Sequence, residues 1–235
     1  MKNNTKIIPI IISRIDSKRL RDKCFLKIYG KKNIIECIIK QLSRIKKLEK
    51  PILAIPDDKK NTPLKKFAIK KNIRYFAGSN QNVFKRLVEA SNFYKADYII
   101  RINGDSPIID KNLIENVVNK KTMVKFLYHS NILKRTYPYG ISLQIISVKF
   151  LNHLNKLKIS KNEKANITPL LHKKKFIKFS KSYVLKNNLD WKSKLTIDTI
   201  YDYRRLKDLF SKINFLKKNF SWKKSKIMRE YLSNV

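Results

Sequence analysis

Three short stretches, far apart in the sequence, carry side chains suited to phosphoryl chemistry. The first is Ser13-Arg14-Ile15-Asp16-Ser17-Lys18-Arg19-Leu20-Arg21-Asp22-Lys23, which gathers Arg14, Arg19 and Lys23 within ten residues. Arginine forks and a lysine ammonium suit a polyphosphate, although basic loops are common throughout this chain. The second is Arg101-Ile102-Asn103-Gly104-Asp105-Ser106-Pro107. A carboxylate there could hold Mg2+, which takes oxygen ligands and often only one or two from protein carboxylates; an ordinary Gly-Asp turn reads the same way. The third is Thr196-Ile197-Asp198-Thr199, where Asp198 alone reads more readily as a helix cap. Asp105 and Asp198 are 93 residues apart, and nothing local requires them to meet. His129, His153 and His172 show no metal-ligand spacing, and no Ser-His-Asp arrangement is readable.

These residues need a frame. Ile7 to Ser13 is a continuous apolar run, predicted as a strand buried on both faces. Further strands are predicted over 51–55, 73–77 and 97–102, alternating with helices over 34–48, 62–71 and 82–94. Such alternation implies an α/β fold with a mostly parallel sheet. The second half is less regular. Strands are expected over 124–128, 141–146, 176–184 and 194–198, with helices over 150–157 and 199–210 and a last one over 222–232 capped by Ser221. Asp110 reads as the cap of a helix that follows it. Nothing marks a linker, so residues 1–235 are read as a single domain. In such sheets ligands bind beyond the carboxyl ends of the strands, where the polar loops 14–23, 78–82 and 103–107 emerge.

The net charge of +38 invites a nucleic-acid reading, yet lysine supplies 44 of the 55 basic residues. Ile and Asn are also abundant and Gly is scarce, as an AT-rich coding bias would produce, and the lysines form no single stripe. Most of them read as solvated surface; nucleic acid is not the expected partner. No apolar run approaches the length of a membrane span, and Ile7 to Ile12 lacks the features of a signal peptide. Two cysteines make no disulfide framework, which points to the reducing cytoplasm.

Taken in order, the motifs resemble the sugar cytidylyltransferases, in particular the branch that serves spore-coat polysaccharide, relatives of the CMP-KDO and CMP-sialic acid synthetases. The matching residues are Ser13-Arg14, Ser17, Arg19-Leu20, Lys23, Gly30-Lys31, Gly78-Ser79, Arg86, Arg101, Gly104-Asp105, Pro107, Ile109-Asp110, Arg135 to Pro138, Gly140, Thr168-Pro169, Thr196 to Thr199 and Phe220 to Trp222. The likeness implies a three-layer nucleotide-diphospho-sugar transferase fold with a mixed sheet. It implies CTP and a sugar acceptor as substrates, acidic sugars among them, with CMP transferred for surface polysaccharide or glycan synthesis and Mg2+ as cofactor. It implies that Arg14, Ser17, Arg19, Lys23, Ser79, Arg86 and Arg101 bind the nucleotide, that Asp105 and Asp198 hold the metal, and that Arg135, Tyr137 and Gln144 line the acceptor pocket. Arg14, Lys23 and Asp105 would be the catalytic residues. A cation shared by Asp105 and Asp198 would bring their carboxylates within about 8 Å of each other, allowing for repulsion without the ion. Pairing into a homodimer is left open.

The chain departs from that pattern. Asp16 and Asp22 stand where the family usually has Gly, and Arg21 where it has Pro. Tyr139, Ser142 and Gln144 replace Asp, Asp and Glu, and Ala165-Asn166 replaces a Glu-His pair. The alternative reading is therefore a catalytically weakened nucleotide- or sugar-binding member. A basic nucleic-acid binder, suggested by charge alone, is the remaining one.

Overall fold

The computed structural model of the protein describes residues 5–17, 19–185 and 194–233. In chain order the elements are β1 (Ile7–Ile12), β2 (Lys27–Tyr29), β3 (Lys32–Asn33), α1 (Ile34–Leu42), β4 (Ile52–Pro56), α2 (Thr62–Lys70), β5 (Arg74–Gly78), α3 (Val83–Phe93), β6 (Tyr98–Asn103), α4 (Lys111–Val118), β7 (Tyr128–Ser130), β8 (Gln144–Ser147), α5 (Val148–Asn155), α6 (Lys161–Ala165), α7 (Thr168–Leu171), α8 (Lys174–Ile177), β9 (Ser180–Ser182), α9 (Ile200–Lys212) and α10 (Lys226–Ser233). Seven strands form one sheet in the order β5-β4-β1-β6-β8-β7-β9, and β2 and β3 make a small separate hairpin. β5, β4, β1 and β6 run parallel; β8 is antiparallel to both β6 and β7, and β9 is parallel to β7. The mixed, mostly parallel sheet is the one expected.

The sheet is apolar on both faces, which is why its central strands are rich in isoleucine without alternating apolar and polar residues. Ile7 and Ile11 of β1 pack with Leu53, Ile55, Ile100 and Ile102 under α1, α2, α4, α9 and α10. Ile8 and Ile10 pack with Ile52, Ala54 and Ile99 under α3, α5, α7 and α8. Side chains that alternate in direction along each strand thus feed two cores, and helices cover both.

Several local expectations are corrected. α1 stops at Leu42 rather than running to 48, because residues 43–48 turn while Ile45 still packs into the core. Residues 121–125 form a 3-10 turn, and the strand begins at Tyr128. Residues 174–177 are helical, leaving only β9 extended. Segment 194–198 makes a single parallel bridge, Tyr139 to Lys194, in place of a strand. Ser221 does not cap the last helix. The buried Trp222 donates Nε1–H to Asp110 Oδ2, 2.8 Å away, and the helix starts at Lys226, with Ser225 Oγ accepting from Met228 N. Asp110 Oδ1 accepts from Leu113 N, so it caps α4 as expected.

Candidate active site

The loop after β1 folds back on itself. The backbone N–H groups of Ser17 and Asp22 both donate to Ile15 O, and Ile15 N donates to Asn61 Oδ1. Asp22 closes the loop in the left-handed region, φ 52°, a conformation Asp tolerates better than most residues. Its side chain is exposed and outside the cleft, whereas Asp16 lines the cleft, 3.8 Å from Arg14 Nε.

β6 ends beside β1. Gly104 N donates to Ile12 O, and a Cβ at Gly104 would stand 2.8 Å from that same oxygen. Only glycine lets the two strand ends approach so closely. The next residue, Asp105, accepts from Ile197 N through its carbonyl, at 2.9 Å. Segment 194–198 is held from its other side by Leu195 N donating to Tyr139 O. Gly140 makes room there, since φ is 104° and a Cβ would lie 2.8 Å from Leu195 C.

These backbone contacts bring Asp105 and Asp198 together. Lys23 Nζ donates to Asp105 Oδ2 at 3.0 Å, to Asp198 Oδ1 at 3.3 Å and to Ile197 O at 3.0 Å. The two carboxylate oxygens therefore stand no farther apart than the sum of the two ion-pair distances, inside the 8 Å expected. Arg19 Nη2 reaches Asp198 Oδ1 at 2.8 Å, and Lys194 Nζ reaches Asp198 Oδ2 at 2.6 Å. Burial works against the ionised form of Asp198, but Lys194 and Lys23 outweigh it and hold its carboxyl below the usual range. Asp198 is not a helix cap: Thr199 caps α9 in a capping box with Asp202. Lys194 was not foreseen, and among 44 lysines no sequence signal singles it out.

The residues converge on a cleft of about 1030 Å³ at the carboxyl ends of β1 and β6. Arg14, Ser17, Arg19, Lys23, Arg86, Arg101, Asp105 and Asp198 all line it. Asn80, Gln81, Asn103 and Ala165 complete the wall. Arg86, on the first turns of α3, is only 1% exposed. Its Nη1 donates to Ser79 O at 2.5 Å, its Nε is buried without an acceptor, and among the described residues no carboxylate pairs with it. Burial, aided by Arg14, lowers its pKa to about 10. Ser79 itself is not in the lining; its Oγ accepts from Asn82 N at the start of α3.

Arg101 lies at the far wall, on β6 next to β8. Its Nη1 donates to Gln144 Oε1 at 2.5 Å, and its Nη2 makes a long 3.5 Å contact with Asn166 Oδ1. Gln144 is locked in turn, donating from Nε2 to Tyr128 Oη at 2.8 Å and to Thr168 Oγ1 at 3.1 Å. Burial draws the Arg101 pKa down against the pull of Tyr128 and Asp105. Two expected acceptor residues lie elsewhere. Tyr137 is 5% exposed and packs against Trp222 in the core, and Arg135 lies over the Tyr139 ring, 5.0 Å from its centroid; neither lines the cleft.

A mixed α/β sheet with a basic cleft, and an acidic pair where segment 194–198 docks beside the end of β6, fits a nucleotidyltransferase site. The cytidylyltransferase family model matches residues 8–218, and the chain belongs to that family. It is 30% identical over 204 residues to an uncharacterised protein of Methanocaldococcus jannaschii, covering 85% of this chain and 81% of that protein. It is 24% identical over 217 residues to the spore coat polysaccharide biosynthesis protein SpsF of Bacillus subtilis, covering 88% and 87%. The structure of a cytidylyltransferase from Leptospira borgpetersenii superposes with a TM-score of 0.86 at 26% identity, covering 98% of this chain and 95% of that one.

Proposed function

We propose that the protein transfers CMP from CTP to a sugar, for surface polysaccharide or glycan synthesis. The observation that carries this reading is the single cleft in which five cationic side chains surround an acidic pair. Family membership and the similarity to SpsF support it. Arg14 and Arg86, with Ser17, Arg19 and Lys23, are placed to bind the triphosphate. The acceptor hydroxyl oxygen forms a bond to the α-phosphorus, the α–β anhydride bond breaks, pyrophosphate leaves and the hydroxyl proton passes to solvent. Little of this asks for covalent chemistry from the protein, so positioning and charge neutralisation carry the rate.

Asp105 and Asp198 fit a divalent cation. Their oxygens already share one positive charge and are hard donors. Among the described residues no group of three or more His, Cys, Asp or Glu could cage a metal. An ion held by two carboxylates and completed by water and phosphate oxygens is the Mg2+ pattern. Bound there, Mg2+ would neutralise phosphate charge as the anhydride breaks.

The acceptor in this reading carries a carboxylate. Arg101 has neutral partners in Gln144 and Asn166 and no carboxylate within ion-pair distance among the described residues. Asp105, the acid nearest in electrostatic effect, is engaged by Lys23. A guanidinium with only neutral partners offers a carboxylate a paired, charge-assisted contact. The two free, buried cysteines fit the cytoplasm, where CTP is available.

The test is the purified protein with CTP, Mg2+ and a panel of neutral sugars, sugar carboxylates and sugar phosphates, following pyrophosphate release and the mass of the product. Release with a sugar carboxylate and a CMP-sugar product are expected. CTP binding with no release on any acceptor would establish the non-catalytic alternative, and absence of CTP binding by calorimetry would overturn both.

A further inference from the structure

Lys23 occupies the place that a divalent cation would need. Its ammonium touches one oxygen from each carboxylate and a backbone carbonyl between them, and its side chain is 15% exposed. Three acceptors around one ammonium nitrogen use all of its N–H donors. Of the two carboxylates, Arg19 and Lys194 pair with Asp198 alone, whereas Lys23 bridges both, and a divalent cation bridging the same two oxygens would meet its ammonium at close range in a partly desolvated site. The same ammonium faces the cleft that Arg14 and Arg86 line. Arg86 is buried with no carboxylate ion pair among the described residues, and Arg14 has only Asp16, at 3.8 Å, so that wall carries more positive than negative charge. A polyphosphate there supplies what both places lack: it offers Lys23 new acceptors, and it brings oxygen ligands for a metal.

We infer that Lys23 is an exchangeable counter-ion: in the free protein it holds Asp105 and Asp198 together, and the polyphosphate of a nucleotide draws it off, so that the two carboxylates take a divalent cation only along with the nucleotide. This rests on the reading of Asp105 and Asp198 as cation ligands given above. The device orders the site. Without nucleotide the acids are neutralised internally and bind free metal poorly. With nucleotide, one positive charge leaves the acids as another arrives, and the acid pair is never left bare. Coupling of this kind between two ligands spans about 5- to 150-fold in affinity.

The experiment uses the full chain and Mn2+ as probe, with bound and free ion measured by electron paramagnetic resonance and no nucleotide present. The wild type is expected to bind Mn2+ weakly. Lys23→Met, and Lys23→Gln should the first variant fail to fold, is expected to bind Mn2+ at least about fivefold more tightly, and Lys23→Arg, which keeps the charge, as weakly as the wild type. In thermal melts, Mn2+ should raise the melting temperature of the neutral variant and leave that of the nucleotide-free wild type unchanged. Equal nucleotide-free affinity in the wild type and the neutral variants would overturn the inference while leaving the carboxylate pair as metal ligands. If Asp105→Asn changes Mn2+ binding neither in the Lys23→Met background nor in the presence of CTP, the carboxylate pair is not the metal site, and the underlying reading falls with the inference.

Discussion

Asp105 and Asp198 share one lysine nitrogen, 3.0 and 3.3 Å from it, although 93 residues separate them in the chain. Neither carboxylate caps a helix, since Thr199 caps α9 and Asp110 caps α4. If the pair neutralises the breaking anhydride with its cation, Asp105→Asn and Asp198→Asn should each lower kcat for pyrophosphate release by at least about 100-fold, a loss of about 2.7 kcal/mol. Circular dichroism should show the fold retained. Activity within a few-fold of wild type would remove both residues from the mechanism.

Stability should depend on the same carboxylate in acid. The folded-state pKa of Asp198 is depressed, because Lys194 and Lys23 outweigh the opposing effect of burial. A depressed pKa contributes stability above the unfolded value of about 3.9 and loses it as pH falls through the folded value. Asp198→Asn should therefore melt below the wild type at neutral pH, by about 1–3 kcal/mol, and the gap should close as the pH drops below about 4. A gap that does not change with pH would show that the ion pairs contribute nothing of this kind.

Arg86 offers a trade between fold and function. It is buried without a carboxylate partner among the described residues, and burial lowers its pKa to about 10. Replacing a buried charge with an apolar side chain of similar volume is often neutral or stabilising by about 1–4 kcal/mol. Arg86→Met should raise the melting temperature and weaken CTP binding by about tenfold or more, the value of a lost charged hydrogen bond. A variant that melts lower and binds CTP normally would make Arg86 a structural residue only.

Arg101 should separate the two substrates. Arg101→Met is expected to raise KM for a carboxylate-bearing acceptor about tenfold or more and leave KM for CTP unchanged. Gln144→Glu, which places a negative charge 2.5 Å from the guanidinium, should do the same by satisfying Arg101 internally. A change in KM for CTP alone would move Arg101 to the nucleotide side.

The legible parts of this chain were those whose physics is local. β1, β4 and β6 are buried on both faces, so they appear as apolar runs, and the basic loop after β1 is visible as charge density. β7 was placed too early because its residues Tyr128, His129 and Ser130 are buried without being an apolar run. His129 is satisfied by Met123 O and Tyr183 Oη, contacts that no pattern announces. The last helix was begun too early because the bond from Trp222 to Asp110 spans 112 residues. In the site, Arg14, Lys23, Asp105 and Asp198 were named from motif order. Tyr137 was misplaced, since a tyrosine in a motif can equally serve the core. Lys194 and the orientation of Gln144 depend on which segments lie side by side, and only coordinates give that.

The bond from Ile197 N to Asp105 O has a consequence for the order of events during folding. One acid arrives with β6, near the middle of the chain, and the other only when segment 194–198 docks beside it. Segment 194–198 is synthesised well after β6, and its docking closes a long loop. A nascent chain that has laid down β1, β4, β5 and β6 already owns a sheet and most of its basic wall, yet it lacks half of the acidic pair. If the acidic pair serves the proposed reaction, such an intermediate attracts nucleotide without turning it over, and catalytic competence reports completion of the fold.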